Sequence, residues 1–192
     1  REVDYLLSRL NHTRTVLIAG NHDHLEPHDV FSQYKWNSEV YLLDGKQRDH
    51  ISFEDLETTI YGFSYWKNQI TKPLYDRMKP DESESSDFSI LLAHGGDESH
   101  IPIQREALKW SGFDYIALGH IHKPMKVGSE LYRYCGTPLA CSVSEAQQQK
   151  GIIMVEMGVK GEVKTTILPL EPLRQVKVVK GTLEEVLKES CK

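Results

Sequence analysis

Three short tracts carry the side chains in this sequence that suit metal ligation and proton transfer: Gly20-Asn21-His22-Asp23, His94-Gly95-Gly96 and Gly119-His120-Ile121-His122. Imidazole nitrogens together with amide and carboxylate oxygens suit borderline divalent metals. Asn21 offers an amide oxygen. His22 could give a proton to a leaving group, with Asp23 setting its tautomer and raising its basicity. His94 leaves the apolar run Leu91-Leu92-Ala93 into an open turn of two glycines. On an extended segment His120 and His122 would diverge, but a tight loop after Gly119 can turn both toward one cavity. Taken singly, the tracts also read as surface histidines, a satisfied structural histidine or a capping turn. Three of them in order, each behind an apolar strand-like run, point to one shared site. His24, His28 and His50 fall outside this pattern and read as solvated residues or supports. Cys135 and Cys141 have no base nearby in sequence, so a thiol nucleophile has no support.

The elements that must position these tracts are legible from periodicity. Val3, Leu6, Leu7 and Leu10 recur at helical spacing over Glu2 to Leu10. Thr15 to Ala19 reads as a short buried strand ending at Gly20, and Pro27 to Trp36 as a helix. Glu39 to Leu43, Ile51 to Asp55 and Thr58 to Phe63 read as strands, with Asp44-Gly45 marking a turn. Pro80 to Asp87 is polar and acidic and reads as a mobile loop. Phe88 to Ala93 and Tyr115 to Leu118 are buried strands feeding His94 and Gly119. Between them Pro102 to Trp110 reads as a helix with Ile103, Ala107, Leu108 and Trp110 toward a core. Strands then follow at Met125 to Val127, Leu131 to Tyr134, Gly151 to Glu156 and Val163 to Leu168. Pro169 and Pro172 punctuate a linker, Gln175 to Val179 reads as a further strand, and Thr182-Leu-Glu-Glu as a capped helix start. An alternating half followed by a strand-rich half predicts an α/β fold with two sheets packed together. In such folds sites form at the carboxyl ends of strands.

Composition bounds the rest. The chain has 192 residues, a formal charge of -5 and three cysteines without zinc-finger spacing. That length supports one full core and the start of a second region. The cysteines suit free thiols in a reducing cytoplasm. No apolar run could span a bilayer, and no secretory leader opens the sequence. The acidic balance speaks against gripping nucleic acid by charge alone, although bound cations can still handle phosphates.

In combination, Gly20-Asn-His-Asp, the strand ending His94-Gly and Gly119-His-Ile-His resemble the calcineurin-like metallophosphoesterases. Tyr134-Cys-Gly-Thr-Pro-Leu-Ala-Cys-Ser, Ser144-Glu-Ala, Lys150-Gly-Ile-Ile-Met-Val-Glu and the tail from Pro169 to Leu187 resemble bacterial SbcD-type DNA repair exonuclease subunits. The resemblance implies two mixed sheets packed as a sandwich flanked by helices (αββα), incomplete here at the amino end. It implies residues 1–168 as the metallophosphoesterase domain and 169–192 as a linker and the start of a carboxy-terminal cap region. It further implies two divalent metals, usually manganese: one held by Asn21, His94 and His120, the other served by His122. His22 would be the acid for the leaving oxygen, supported by Asp23, while the metals activate water for in-line attack on a phosphodiester.

The implied partners are DNA, an SbcC-type ATPase and a second copy of the intact chain, in the cytoplasm and without a membrane. One departure counts: the family's early Asp-x-His and Gly-Asp-x-x-Asp tracts do not occur, and Gly96-Asp97 comes too late. The expectation is therefore a fragment that binds at most one metal, weakly, and has little nuclease activity alone. A small-substrate phosphatase or phosphodiesterase on the same fold, or a non-catalytic scaffold that has lost one metal site, are the competing readings.

Overall fold

The computed structural model describes residues 2–28, 33–37, 39–45, 49–84, 86–159, 161–172 and 174–190. A six-stranded mixed sheet organises the chain. It uses β3 (Asp49–Phe53), β4 (Thr58–Gly62), β5 (Phe88–His94), β6 (Tyr115–Gly119), β7 (Met125–Lys126) and β8 (Tyr132–Tyr134), in the order β3-β4-β5-β6-β8-β7. The four central strands run parallel, and antiparallel β3 and β7 close the two edges. The continuous apolar runs of β5 and β6 suit central parallel strands covered on both faces. Leu91, Ala93, Ile116 and Leu118 enter one core with Tyr61, Phe63, Tyr75, Ile101 and Leu108.

The opposite face carries Ile60, Ile90, Leu92 and Ala117, which line one cleft with Val16, Ile153 and Val155. Those last three belong to the second layer. It is built in two pieces: parallel β1 (Thr15–Leu17) and β2 (Val40–Leu42), and antiparallel β9 (Gly151–Met157) and β10 (Val163–Pro169). This is the mixed α/β sandwich expected, with few helices; among the described residues these include α1 (Glu2–Ser8), α2 (Arg105–Lys109) and α3 (Leu183–Ser190). None of them is long and apolar enough to cross a membrane.

Where structure and sequence reading part, the reasons are local. β1 ends at Leu17 because the backbone of Ala19 is taken by the segment that follows β4: its N–H donates to Ser64 Oγ and its carbonyl accepts from Tyr65 N. The helix expected over Pro27 to Trp36 falls partly on residues 29–32, outside the described residues, and 34–37 are irregular. The Asp44-Gly45 turn likewise runs into undescribed residues 46–48.

α2 is shorter than Pro102 to Trp110, and Trp110 is 73% exposed rather than in the core. Leu108 alone fills the buried position of that helix. Gln175 to Val179 forms no strand. α3 has the expected reciprocal cap: Thr182 N donates to Glu185 Oε2 (2.7 Å), and Glu185 N to Thr182 Oγ1 (3.4 Å).

Candidate metal centre

β5 and β6 pair in register so that His94 lies opposite Gly119 at their carboxyl ends. His120 is the next residue, and the Gly20-Asn21 loop is tied to the same edge through Ala19, Ser64 and Tyr65. Asn21 is 3% exposed, and its Oδ1 lies 2.9 Å from His94 Nε2 and 3.3 Å from His120 Nδ1. Thus an amide oxygen and two ring nitrogens from three distant segments converge. Glycines make the room: a Cβ on Gly20 would stand 2.7 Å from His94 Cε1, and one on Gly119 3.0 Å from His94 Nδ1. His120 takes φ +94°, a conformation that costs a non-glycine residue energy and recurs at functional sites.

Tyrosine hydroxyls fix the end of β5. His94 N donates to Tyr75 Oη (2.9 Å), while Tyr65 and Tyr75 donate to the His94 carbonyl at 2.9 and 3.3 Å. Tyr134 donates to the Gly95 carbonyl at 2.9 Å. Burial pushes the Tyr134 phenol up to about 12, so it stays a donor. Gly95 and Gly96 have φ +142° and +123°; a Cβ on Gly96 would collide with the Tyr134 hydroxyl.

The electrostatics favour a cation. Burial, and then the imidazoles of His120, His100 and His22, lower the His94 pKa to about 4, which keeps its nitrogen lone pair available at neutral pH. His120 Nε2 contacts Asp97 Oδ2 at 2.6 Å, and His100 Nδ1 contacts Asp97 at 2.9 Å. Burial alone would raise the Asp97 carboxyl, but hydrogen bonds from His120, His100 and the Ser99 amide hold it well below the usual carboxylate range. A neutral His120 that donates from Nε2 to Asp97 presents its Nδ1 lone pair to the Asn21 amide oxygen. Two acceptors then face each other, an arrangement that a cation between them satisfies. The donor set of Asn21, His94 and His120 therefore fits a divalent metal.

The remaining expected residues stand differently. His22 and Asp23 are both exposed, and among the described residues no hydrogen bond joins them, so Asp23 does not support His22 here. His122 turns from the Asn21 cluster to Glu145, its Nδ1 2.9 Å from Oε1. His24 takes the supporting role: its Nδ1 donates to the Asn21 carbonyl (3.0 Å), beside Asn68 Nδ2 (3.2 Å). His50 contacts Glu84 and stacks on Tyr61, and His28 is exposed.

Sequence reasoning misses Asp97, His100, Glu145 and Lys150. The signal for the first two is Asp97-x-x-His100, directly after the two glycines behind His94. Cys141 has no base nearby in sequence, yet its thiol lies near His122 and Glu145, with donor atoms within 4.8 Å of one another.

The sequence profile of the calcineurin-like phosphoesterases matches residues 1–124. The chain belongs to the calcineurin-like phosphoesterase family. This family uses divalent metals, in keeping with the donors brought together at the ends of β5 and β6. The chain is 38% identical to the SbcD subunit of nuclease SbcCD from Staphylococcus saprophyticus over 203 aligned positions, covering 91% of this chain and 53% of that protein. It is 26% identical to the SbcD subunit of nuclease SbcCD from Staphylococcus epidermidis over 204 positions, covering 92% and 54%. The chain thus spans about half the length of the curated relatives it matches.

Proposed function

We propose that this chain is the metal-binding part of a phosphodiester hydrolase, the nuclease subunit of an SbcCD-type DNA repair exonuclease. The observation that carries this reading is the convergence of Asn21 Oδ1, His94 Nε2 and His120 Nδ1 at one sheet edge. The likeness to SbcCD nuclease subunits supports the choice of DNA as substrate and of an SbcC-type ATPase as partner. The proposed catalytic domain is residues 1–168, with 169–192 leading into a further region.

Asn21, His94 and His120 would hold one divalent metal, proposed as manganese, and His122 would serve a second. Metal bound there supplies Lewis acidity toward a phosphate oxygen and a water acidic enough to attack at neutral pH. The chain's own residues do the rest. Asp97 fixes the His120 ring, the tyrosine hydroxyls hold the backbone of His94, and exposed His22 would give a proton to the departing oxygen.

Of the ligands that the family resemblance implies, His122 alone would serve a second metal, so one manganese per chain and weak nuclease activity are expected. The test is calorimetric manganese titration of the wild-type chain, His94→Ala and Asn21→Ala, with hydrolysis assays on duplex DNA and a small phosphate ester. One site that disappears in both variants, with DNA cleaved faster than the ester, supports the reading. Two tight sites would overturn the one-metal expectation, and cleavage of the ester alone would overturn the nuclease assignment in favour of a phosphatase.

A further inference from the structure

The stretch between β8 and β9 contains sequence features that the Asn21 cluster does not use: Gly136-Thr137-Pro138, Ser144-Glu145-Ala146 and Lys150-Gly151. They enclose a buried ion pair. Lys150 Nζ lies 2.7 Å from Glu145 Oε2, with the two side chains only 5% and 8% exposed. Removing both charges from water is costly, so such a pair persists where the remaining donors and acceptors are also satisfied. That condition holds here. Lys150 also reaches Gln148 Oε1 (2.9 Å), Thr137 Oγ1 (2.8 Å) and the main-chain carbonyl of His122 (2.9 Å). Glu145 also accepts from the Cys141 amide (3.2 Å), Ser142 Oγ (3.2 Å), Thr137 Oγ1 (3.3 Å) and His122 Nδ1 (2.9 Å). One ion pair therefore grips both the backbone and the ring of His122. Gly136, at φ +79°, lets the loop pass close: a Cβ there would stand 2.7 Å from the same His122 carbonyl.

We propose that Glu145 and Lys150 are positioning residues for His122: Glu145 holds the Nδ1 proton, leaving the Nε2 lone pair as the ligand to a divalent cation. Lys150 keeps Glu145 in place and anchors the loop that carries His122. The inference rests on the reading of His122 as a metal ligand. A cation held instead by His122 Nδ1, Cys141 and Glu145 is disfavoured, because both Glu145 oxygens already accept hydrogen bonds and one faces an ammonium.

The test is two-bond proton–nitrogen correlation NMR on the metal-free chain labelled with nitrogen-15 at histidine, at a pH where imidazole is neutral. His122 is assigned by the signal missing in His122→Gln. The expected wild-type state is the Nδ1–H tautomer, the opposite of what a free histidine side chain prefers. Glu145→Gln, which keeps an acceptor oxygen, should retain it, and Glu145→Ala should shift it toward Nε2–H. Zinc titration should then shift the His122 Nε2 signal, with affinity at that position about 10–100-fold weaker in Glu145→Ala.

An Nε2–H tautomer in the wild type, or no change in Glu145→Ala, overturns the proposal. So does zinc shifting Nδ1 instead. Zinc leaving both His122 nitrogens unshifted overturns the ligand reading while the tautomer result stands by itself. If Glu145→Ala does not fold, the wild-type spectrum alone decides.

Discussion

At the scale of single residues, carboxylates fix which ring nitrogen of two imidazoles is engaged. Asp97 does this for His120, through the 2.6 Å contact to Nε2 that leaves Nδ1 facing Asn21. Asp97→Asn should therefore lower manganese affinity about 10–100-fold with the fold intact, as read by calorimetry and circular dichroism. His94 makes a second prediction. Its pKa in the folded chain is about 4, against an ordinary 6.5. Between those values the unfolded state binds a proton that the folded state does not, so stability rises with pH through this window. The metal-free chain should lose stability as pH falls from about 6.5 toward about 4. His94→Gln should flatten that slope in urea unfolding at a series of pH values.

At the scale of elements, the centre is a product of strand register. β5 and β6 are readable from Phe88 to Ala93 and Tyr115 to Leu118 because continuous apolar runs bounded by polar residues leave few alternatives to a buried strand. What the runs do not reveal is how tightly the loops behind them close. In sequence Gly20 opens the first tract; in the structure it is where the first loop touches the His94 ring. Gly20→Ala should displace that ring, because the added carbon would sit 2.7 Å from Cε1, well inside ordinary van der Waals contact. The expected outcome is loss of manganese binding with the urea midpoint little changed, since no core side chain moves. The exposure of Trp110 belongs to this scale too. Helical spacing places it on the inner face, but α2 ends at Lys109, so the ring projects outward.

At the scale of the whole molecule, the six-stranded sheet is the platform. The face turned away from the second layer carries Tyr61 and Leu91 into a core with Phe63 and Tyr75, and Leu91 is fully buried in the strand that ends at His94. Leu91→Ala should cost about 2–5 kcal/mol, measured by urea denaturation, because both the lost burial and the cavity count. Total stabilities of domains are about 5–15 kcal/mol, so this change alone should bring the chain near its folding threshold and weaken metal binding indirectly. A fully retained midpoint would show that β5 contributes less to stability than its burial implies.

The sequence by itself determined the α/β alternation, the central strands, and the candidacy of Asn21, His94 and His120. All of these are written in short local patterns: an apolar run, a glycine, a polar ligand. Only the tertiary structure decided that these three converge, that His122 faces Glu145, and that Asp97 and His100 join His120. Those contacts join residues 20 or more positions apart through irregular loops. No periodicity spans such a gap, because loop backbones are set by what they pack against: the tyrosine hydroxyls, the Lys150–Glu145 pair and the glycines that let them approach.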